Sequence, residues 1–308
     1  MRIGVMAAGG VGGYFGARLA AAGHDVVFFA RGSHLAALRE HGLKVESVLG
    51  DVHLNDIQAV DDPAQVAPVD IVLFAVKLWD TETAAQSLRP LVGPDTRVIT
   101  VQNGIDARER LEPILGHGRV VPGLAQIATV IGSPGVIVHT SKFALIRCGH
   151  PDGRADPPLT AFVEAARKAG IDIAVSGTIE LELWQKFVFL SSLAGITAAT
   201  RLPIGPLLTD PDTRALFHNL LREVVAVGRA KDVELPADGA DKALAFADAT
   251  LPRDMKASMA HDLERGNRIE LDWLTGKVVA LGRALGVPTP VSEIVYAVLK
   301  PHRMGRGG

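Results

Sequence analysis

The run ELWQKFVFLSSLAGITAAT, residues 182–200, holds one charged side chain between Glu182 and Arg201: Lys186. Trp184, Phe187, Val188, Phe189, Leu190 and Leu193 surround it in a stretch that reads as a buried helix. A lysine there has two readings. It snorkels its amine to water and pairs with Glu182 one turn back, or it is held inside, where desolvation lowers its pKa and an ammonium can protonate a developing alkoxide. On residue types alone the two stand level. A second chemistry-bearing residue, Glu270, lies in RGNRIELDWLTG near an expected helix start. Acids are favoured at that end of a helix whatever their function, so Glu270 also has a structural reading, and nearby Asp272 is expected to be structural.

A third candidate set is glycine-rich. IGVMAAGGVGGYFG places Ala7-Ala8-Gly9-Gly10-Val11-Gly12 between an apolar run and a helical pattern. This matches G-x-G-x-x-G with Ala7 at the first glycine. Gly9 would let backbone approach a pyrophosphate, Gly12 would let helix and strand pack closely, and the helix N-terminus would offer its N–H groups to the anion. Ala7 is expected to keep an ordinary backbone conformation. After the second apolar run, at FFARGS, stands Arg31, where an NAD enzyme places Asp or Glu to bond the ribose 2′-hydroxyl. A guanidinium there suits a 2′-phosphate, so the expected cofactor is NADP(H). Lys77 ends DIVLFAVK and Asn103 ends RVITVQN. In an open α/β sheet ligands gather outside the carboxyl ends of the strands, where both residues would stand. Each has a bland alternative, a solvated lysine and an Asn-Gly turn.

Alternation of strands and helices is what would position these residues. RIGVM (2–6), DVVFFA (25–30), DIVLFAV (70–76) and RVITVQ (97–102) are near-continuous apolar strands, separated by helical patterns at 15–23, 34–42 and 81–92. That order predicts a parallel sheet covered on both faces. Residues 119–148 add strand-like stretches around a Ser-Pro-Gly turn. Beyond about residue 177 the β pattern stops, and helices are expected at 179–199, 210–232, 237–249, 254–266, 268–285 and 290–300, with Asp210 or Asp212 capping one of them. The expected architecture is an α/β Rossmann-type dinucleotide-binding domain, 1–177, followed by an all-α domain, 178–308, for substrate and dimerisation.

Composition narrows the function classes. The chain of 308 residues is 48% hydrophobic and 21% charged, with a formal net charge of −2. That balance gives no general attraction for nucleic acid or anionic membrane. No run approaches the ~20 apolar residues of a membrane span, and the glycine-rich middle of the N-terminal stretch, interrupted by Arg18, does not read as a secretory leader. A cytoplasmic location is expected. The single cysteine, Cys148, reads as a packed core thiol. Ten histidines show no metal-ligand spacing, and no serine sits in a nucleophile elbow, so neither a metal nor hydrolase chemistry is expected.

The glycine loop, Arg31, Val76-Lys77, Gln102-Asn103-Gly104, ELWQK and RIELDWLTG, in this order along nearly the whole chain, resemble the ketopantoate reductase family, also called 2-dehydropantoate 2-reductases. The resemblance implies an N-terminal Rossmann domain, a helical C-terminal domain, and an active site in the cleft between them. It implies that Lys186 is the general acid protonating a carbonyl oxygen while NADPH delivers hydride. Glu270 would assist at the nicotinamide end, Ser258 would reach the substrate carboxylate, and Asn103 and Lys77 would contact cofactor and substrate. A 2-oxo acid, 2-dehydropantoate in the typical member, would become a 2-hydroxy acid in the pantothenate pathway, and a homodimer is expected. The chain departs from the family's well-known members at Leu190, Ala194 and Met255, where asparagines are usual. Those departures open a second expectation, a reductase of another carbonyl compound. A third, a noncatalytic NADP(H)-binding sensor, fits poorly with the retention of Lys186 and Glu270.

Overall fold

Five consecutive residues, Arg2–Met6, apolar or glycine after the first, form strand β1 at the centre of a six-stranded sheet. The structure is a computed structural model that describes residues 1–306, and the chain divides into two compact units, Met1–Ile179 and Glu180 onward. In the first unit the order is β1, α1 (Gly10–Ala21), β2 (Asp25–Phe29), α2 (Gly32–His41), β3 (Leu43–Ser47), β4 (Val52–Leu54), β5 (Gln58–Val60), β6 (Val69–Phe74), α3 (Thr81–Leu88), β7 (Val92–Thr100), α4 (Ala107–Leu115), β8 (Val120–Val121), β9 (Gly123–Ser133), β10 (Val136–Cys148), α5 (Pro157–Lys168) and β11 (Asp172–Val175). The central sheet runs β5-β2-β1-β6-β7-β8, and every pairing in it is parallel.

The period-two geometry of a strand sends neighbouring residues to opposite faces. Val26 and Phe28 of β2 join one core with Ile3, Val5, Ile71, Leu73 and Ile99. Val27 and Phe29 join the other with Val72, Phe74 and Val98. Both faces are therefore covered, which explains the near-continuous apolar runs. α1 covers the first face and packs in turn on β9, β10, β3 and β4 of a second sheet, ordered β11-β10-β3-β4 with β9 antiparallel to β10. α1 starts at Gly10, five residues before the helix expected from apolar spacing, because its first turn is built of glycines that fit against neighbouring backbone. The strands β3–β5 and helices α4 and α5 were not legible in the sequence pattern.

The second unit is helical. α6 (Ile179–Thr200) leads into it and is followed by α7 (Ile204–Thr209), α8 (Pro211–Ala230), α9 (Gly239–Thr250), α10 (Ser258–Arg265), a 3-10 turn (Leu271–Trp273), α11 (Thr275–Leu285) and α12 (Pro290–Leu299). Asp210, not Asp212, caps α8: its side chain accepts from the N–H groups of Asp212 and Thr213, and Pro211 fills the first helical position. α6 lies against several neighbours within this unit. Trp184 meets Gly228 of α8, Gly195 meets Thr275 and Val295, and the Phe189 ring stands edge-on to Phe217 and Phe246. The buried Glu223 carboxylate of α8 accepts from the N–H groups of Val291 and Ser292 and from the Ser292 hydroxyl, which fixes the start of α12. Among the described residues no helix is long and apolar enough to cross a membrane.

Candidate functional site

In the first unit the loop leaving β1 turns sharply at Ala7, whose φ is +72°. This corrects the expectation of an ordinary conformation: the alanine occupies the left-handed region that a glycine takes freely and that costs an L-residue about 1–2 kcal/mol. Gly12 shows what the turn is for. A Cβ built there would lie 2.2 Å from the Ala7 carbonyl oxygen and 3.0 Å from Val5 Cγ1, so helix and loop touch only because no side chain intervenes. Gly10 is pressed on Thr129 of β9, whose hydroxyl would lie 2.9 Å from a Cβ. Gly9 differs, since a Cβ there would meet only Ile131 Cδ1, at 4.0 Å. Gly9 is also the N-cap residue of α1, where no side chain caps the helix. An uncapped helix start facing open space is a fitting cradle for a pyrophosphate.

The loop is braced from behind. Ala8 N–H donates to the Phe29 carbonyl at 2.8 Å. The His34 ring accepts at Nδ1 from Gly135 N–H (3.1 Å), which leaves Nε2 to carry the proton and donate to the Ala8 carbonyl (2.8 Å). Ala7–Gly12, Arg31, Lys77 and Asn103 follow β1, β2, β6 and β7, four adjacent strands, at their carboxyl ends. Arg31 is the residue before α2, and its side chain is 80% exposed while Nη2 donates to Asp80 Oδ2 at 2.8 Å. Lys77 is exposed, with Nζ 5.7 Å from the Trp79 ring centroid. Asn103 is half-buried, and Gly104 after it takes φ +93°, so the pair does make a turn. Beside it Gln102 is buried, donating from Nε2 to the Val76 carbonyl (2.9 Å) and to Thr81 Oγ1 (3.0 Å). Its Oε1 is enclosed without a hydrogen-bond partner.

The second unit holds the remaining candidates. Lys186 sits in α6 between buried Trp184 and buried Phe187, and its own side chain keeps only partial exposure. Burial lowers its pKa to about 8, against the opposing pull of the Glu270 carboxylate. Lys186 and Glu270, 84 positions apart in sequence, are thus brought into electrostatic contact. Glu270 is 6% exposed. It precedes the short 3-10 turn, while α11 begins only at Thr275. The helix-dipole account of this acid therefore loses its basis, because the effect fades beyond the first turn. Ser258 opens α10 and is exposed. Leu190 and Ala194 lie one and two turns after Lys186 on the same side of α6, Ala194 fully buried, and Met255 is half-buried.

Other residues take structural places. Asp272 accepts from the Tyr296 hydroxyl at 2.8 Å. Cys148 is buried at the end of β10, and burial pushes its thiol pKa up to about 12, far from nucleophilic use. Among the described residues no cluster of three or more His, Cys, Asp or Glu could hold a metal ion. Sequence reading missed Asp80, His34, Gln102 as a buried amide, and Thr129. Each acts through a partner on another strand connection, and only Asp80, just before the helix-like TETAAQ, carried any local signal.

Comparison with known proteins gives consistent results. Residues 3–152 match the family described as ketopantoate reductase PanE/ApbA, and residues 178–303 match its C-terminal part. A 2-dehydropantoate 2-reductase of Mesorhizobium japonicum is 31% identical, the alignment covering 100% of this chain and 99% of that protein. An uncharacterized oxidoreductase, YkpB of Bacillus subtilis, is also 31% identical, over 97% and 98%. Among solved structures, a PanE/ApbA family ketopantoate reductase from Ralstonia eutropha JMP134 is 32% identical with a TM-score of 0.89, covering 98% of each chain.

Proposed function

The chain belongs to the ketopantoate reductase family of nicotinamide-dependent oxidoreductases, and from that premise we propose that it reduces a 2-oxo acid to a 2-hydroxy acid with NADPH, with 2-dehydropantoate as substrate and pantoate as product. The observation that carries the reading is Lys186, an ammonium whose burial brings its pKa to about 8 beside a buried carboxylate. Perturbed, charge-coupled groups of this kind cluster at functional sites.

The residues present fit a dinucleotide. The open face at Gly9 and the uncapped start of α1 suit its pyrophosphate, and Arg31 suits a 2′-phosphate with paired N–H donors. Lys77 and Asn103 stand at the neighbouring strand ends, where the nicotinamide end would be held. When bound, the dinucleotide supplies a hydride to the carbonyl carbon. Lys186 donates its proton to the carbonyl oxygen as negative charge gathers there, becoming a neutral amine that regains a proton from solvent. A pKa near 8 keeps it protonated at neutral pH yet willing to give the proton up. Glu270 counteracts the desolvation of Lys186, holding the ammonium charged and oriented. Ser258 offers a hydroxyl donor to the substrate carboxylate.

A second substrate reading has its own support. Leu190, Ala194 and Met255 supply no hydrogen-bonding side chain where the resemblance implies asparagines in the family's well-known members, so a less polar 2-oxo acid is the natural competitor. NADPH oxidation, followed at the nicotinamide absorbance with 2-dehydropantoate and a panel of 2-oxo acids, decides between them. Turnover of 2-dehydropantoate that drops about 10²–10⁴-fold in Lys186→Ala, with NADPH binding intact, supports the first reading. Lysine-dependent turnover of another acid alone moves the substrate, and NADPH binding without any turnover overturns the enzymatic reading. Location in the cytoplasm and assembly as a homodimer belong to the same proposal.

A further inference from the structure

The Arg31 guanidinium already has a partner. Asp80 Oδ2 accepts from its Nη2 at 2.8 Å, across the two strand connections that flank β1. Arg31 follows β2 and Asp80 follows β6, so the ion pair joins residues on either side of the glycine loop. Asp80 stands at the N-cap position of α3, where an aspartate ordinarily turns its carboxylate back onto its own helix. Here it makes no such cap bond. Its side chain is 31% exposed and its backbone is held by a bond from Asp80 N–H to the Lys77 carbonyl, whereas the Arg31 side chain is 80% exposed. The acid is the fixed member of the pair and the arginine the adjustable one.

Resting on the NADPH reading above, we propose that Asp80 is a specificity-determining residue: it competes with the cofactor's 2′-phosphate for Arg31 and so narrows the preference for NADPH over NADH. A dianionic phosphate arriving at Arg31 must displace or share the Asp80 carboxylate and tolerate its negative charge nearby. A cofactor with a free 2′-hydroxyl meets no such repulsion, and the same carboxylate can accept a hydrogen bond from that hydroxyl. Exposed ion pairs are weak, so the competition tunes selectivity by a modest factor and does not reverse it.

The test uses the full-length protein and two readouts. Titration calorimetry with adenosine 2′,5′-bisphosphate and with 5′-AMP reports phosphate recognition without turnover. The kcat/KM ratio for NADPH over NADH reports it in the reaction. Asp80→Asn, nearly isosteric, is expected to tighten adenosine 2′,5′-bisphosphate by about three- to fivefold, leave 5′-AMP within twofold, and raise the ratio by the same factor. In an Arg31→Ala background the same change is expected to do nothing. Asp80→Asn leaving both readouts unmoved, or moving them equally with Arg31 absent, overturns the proposal while a large loss in Arg31→Ala alone keeps the NADPH reading. If Arg31→Ala leaves adenosine 2′,5′-bisphosphate binding unchanged, the NADPH reading falls and this inference with it.

Discussion

A lysine with a pKa near 8 makes a sharp demand on the pH dependence of the reaction. If, as proposed, Lys186 is the acid of the reductive direction, it must be protonated in the free enzyme, so kcat/KM should be level on the acid side and fall above about pH 8. At pH 9 roughly a tenth of the plateau should remain, whereas an unperturbed lysine would keep more than nine-tenths. Glu270 raises the Lys186 pKa, so Glu270→Gln should move the falling limb to lower pH, beyond any loss of rate. Folding linkage gives an independent check. Because the folded pKa lies below the unfolded one, the burial cost is fully present below pH 8 and is relieved as the pH rises toward 10.5. The depression corresponds to about 3 kcal/mol, so Lys186→Met should be at least as stable as the parent at pH 7 while lacking the alkaline gain. Steady-state rates between pH 6 and 10, with urea unfolding over the same range, test both. A profile level to pH 10, or a limb that survives in Lys186→Ala with measurable residual rate, refutes this assignment of the acid.

The loop after β1 and the buried thiol give three further expectations. Ala7→Gly relieves a left-handed alanine and should stabilise the first unit by up to about 1 kcal/mol after the added chain entropy, seen as a higher urea midpoint. Gly12→Ala must push its methyl into the Ala7 carbonyl, and should cost about 1–3 kcal/mol while weakening NADPH binding measured by fluorescence titration. Cys148, fully buried with its pKa raised to about 12, should resist a thiol-labelling disulfide reagent at pH 8 until denaturant is added; fast labelling of the native protein would contradict its place in the core.

What the sequence made legible depends on how local each cause is. The strands β1, β2, β6 and β7 could be read because burial on both faces leaves continuous apolar runs. β3–β5 could not, since they are three to five residues long and alternate with exposed Lys44 and His53, and β3 finds its parallel partner in β10, Lys44 standing opposite Val136. Pro113 inside α4 and the charges of ARERLEPIL likewise hide a helix from its spacing. Among the candidate residues, Lys186 stood out as one charge in an apolar helix, and Arg31 by its distance from the glycines. The conformation of Ala7 gave no sign in residue type, because the turn is imposed by the contact of Gly12 with its carbonyl. The Arg31–Asp80 pair joins residues 49 apart and exists only once β1 lies between their strands.

On the proposed function, the helix carrying Lys186 also bears on how strictly the enzyme selects its substrate. α6 is fixed within its unit by Trp184 on Gly228, Gly195 on Thr275 and Val295, and the Thr197 hydroxyl, which accepts from Ala257 N–H at 3.4 Å. Such anchoring lets an ammonium remain buried, since the helix cannot easily turn it outward. The same rigidity holds Leu190 and then Ala194 in place on the Lys186 side of the helix, and neither can form a side-chain hydrogen bond. A site that must hydrogen-bond a substrate hydroxyl rejects the analogue lacking it by about 10⁴–10⁵, because its own polar groups are left unpaired; an apolar wall discriminates by only about 10². On the proposed function, then, 2-oxo acids with and without a hydroxyl on the side chain should differ in kcat/KM by no more than about a hundredfold. Placing asparagine at position 190 should widen that gap in favour of the hydroxylated acid, since an amide there is satisfied by one substrate and stranded by the other.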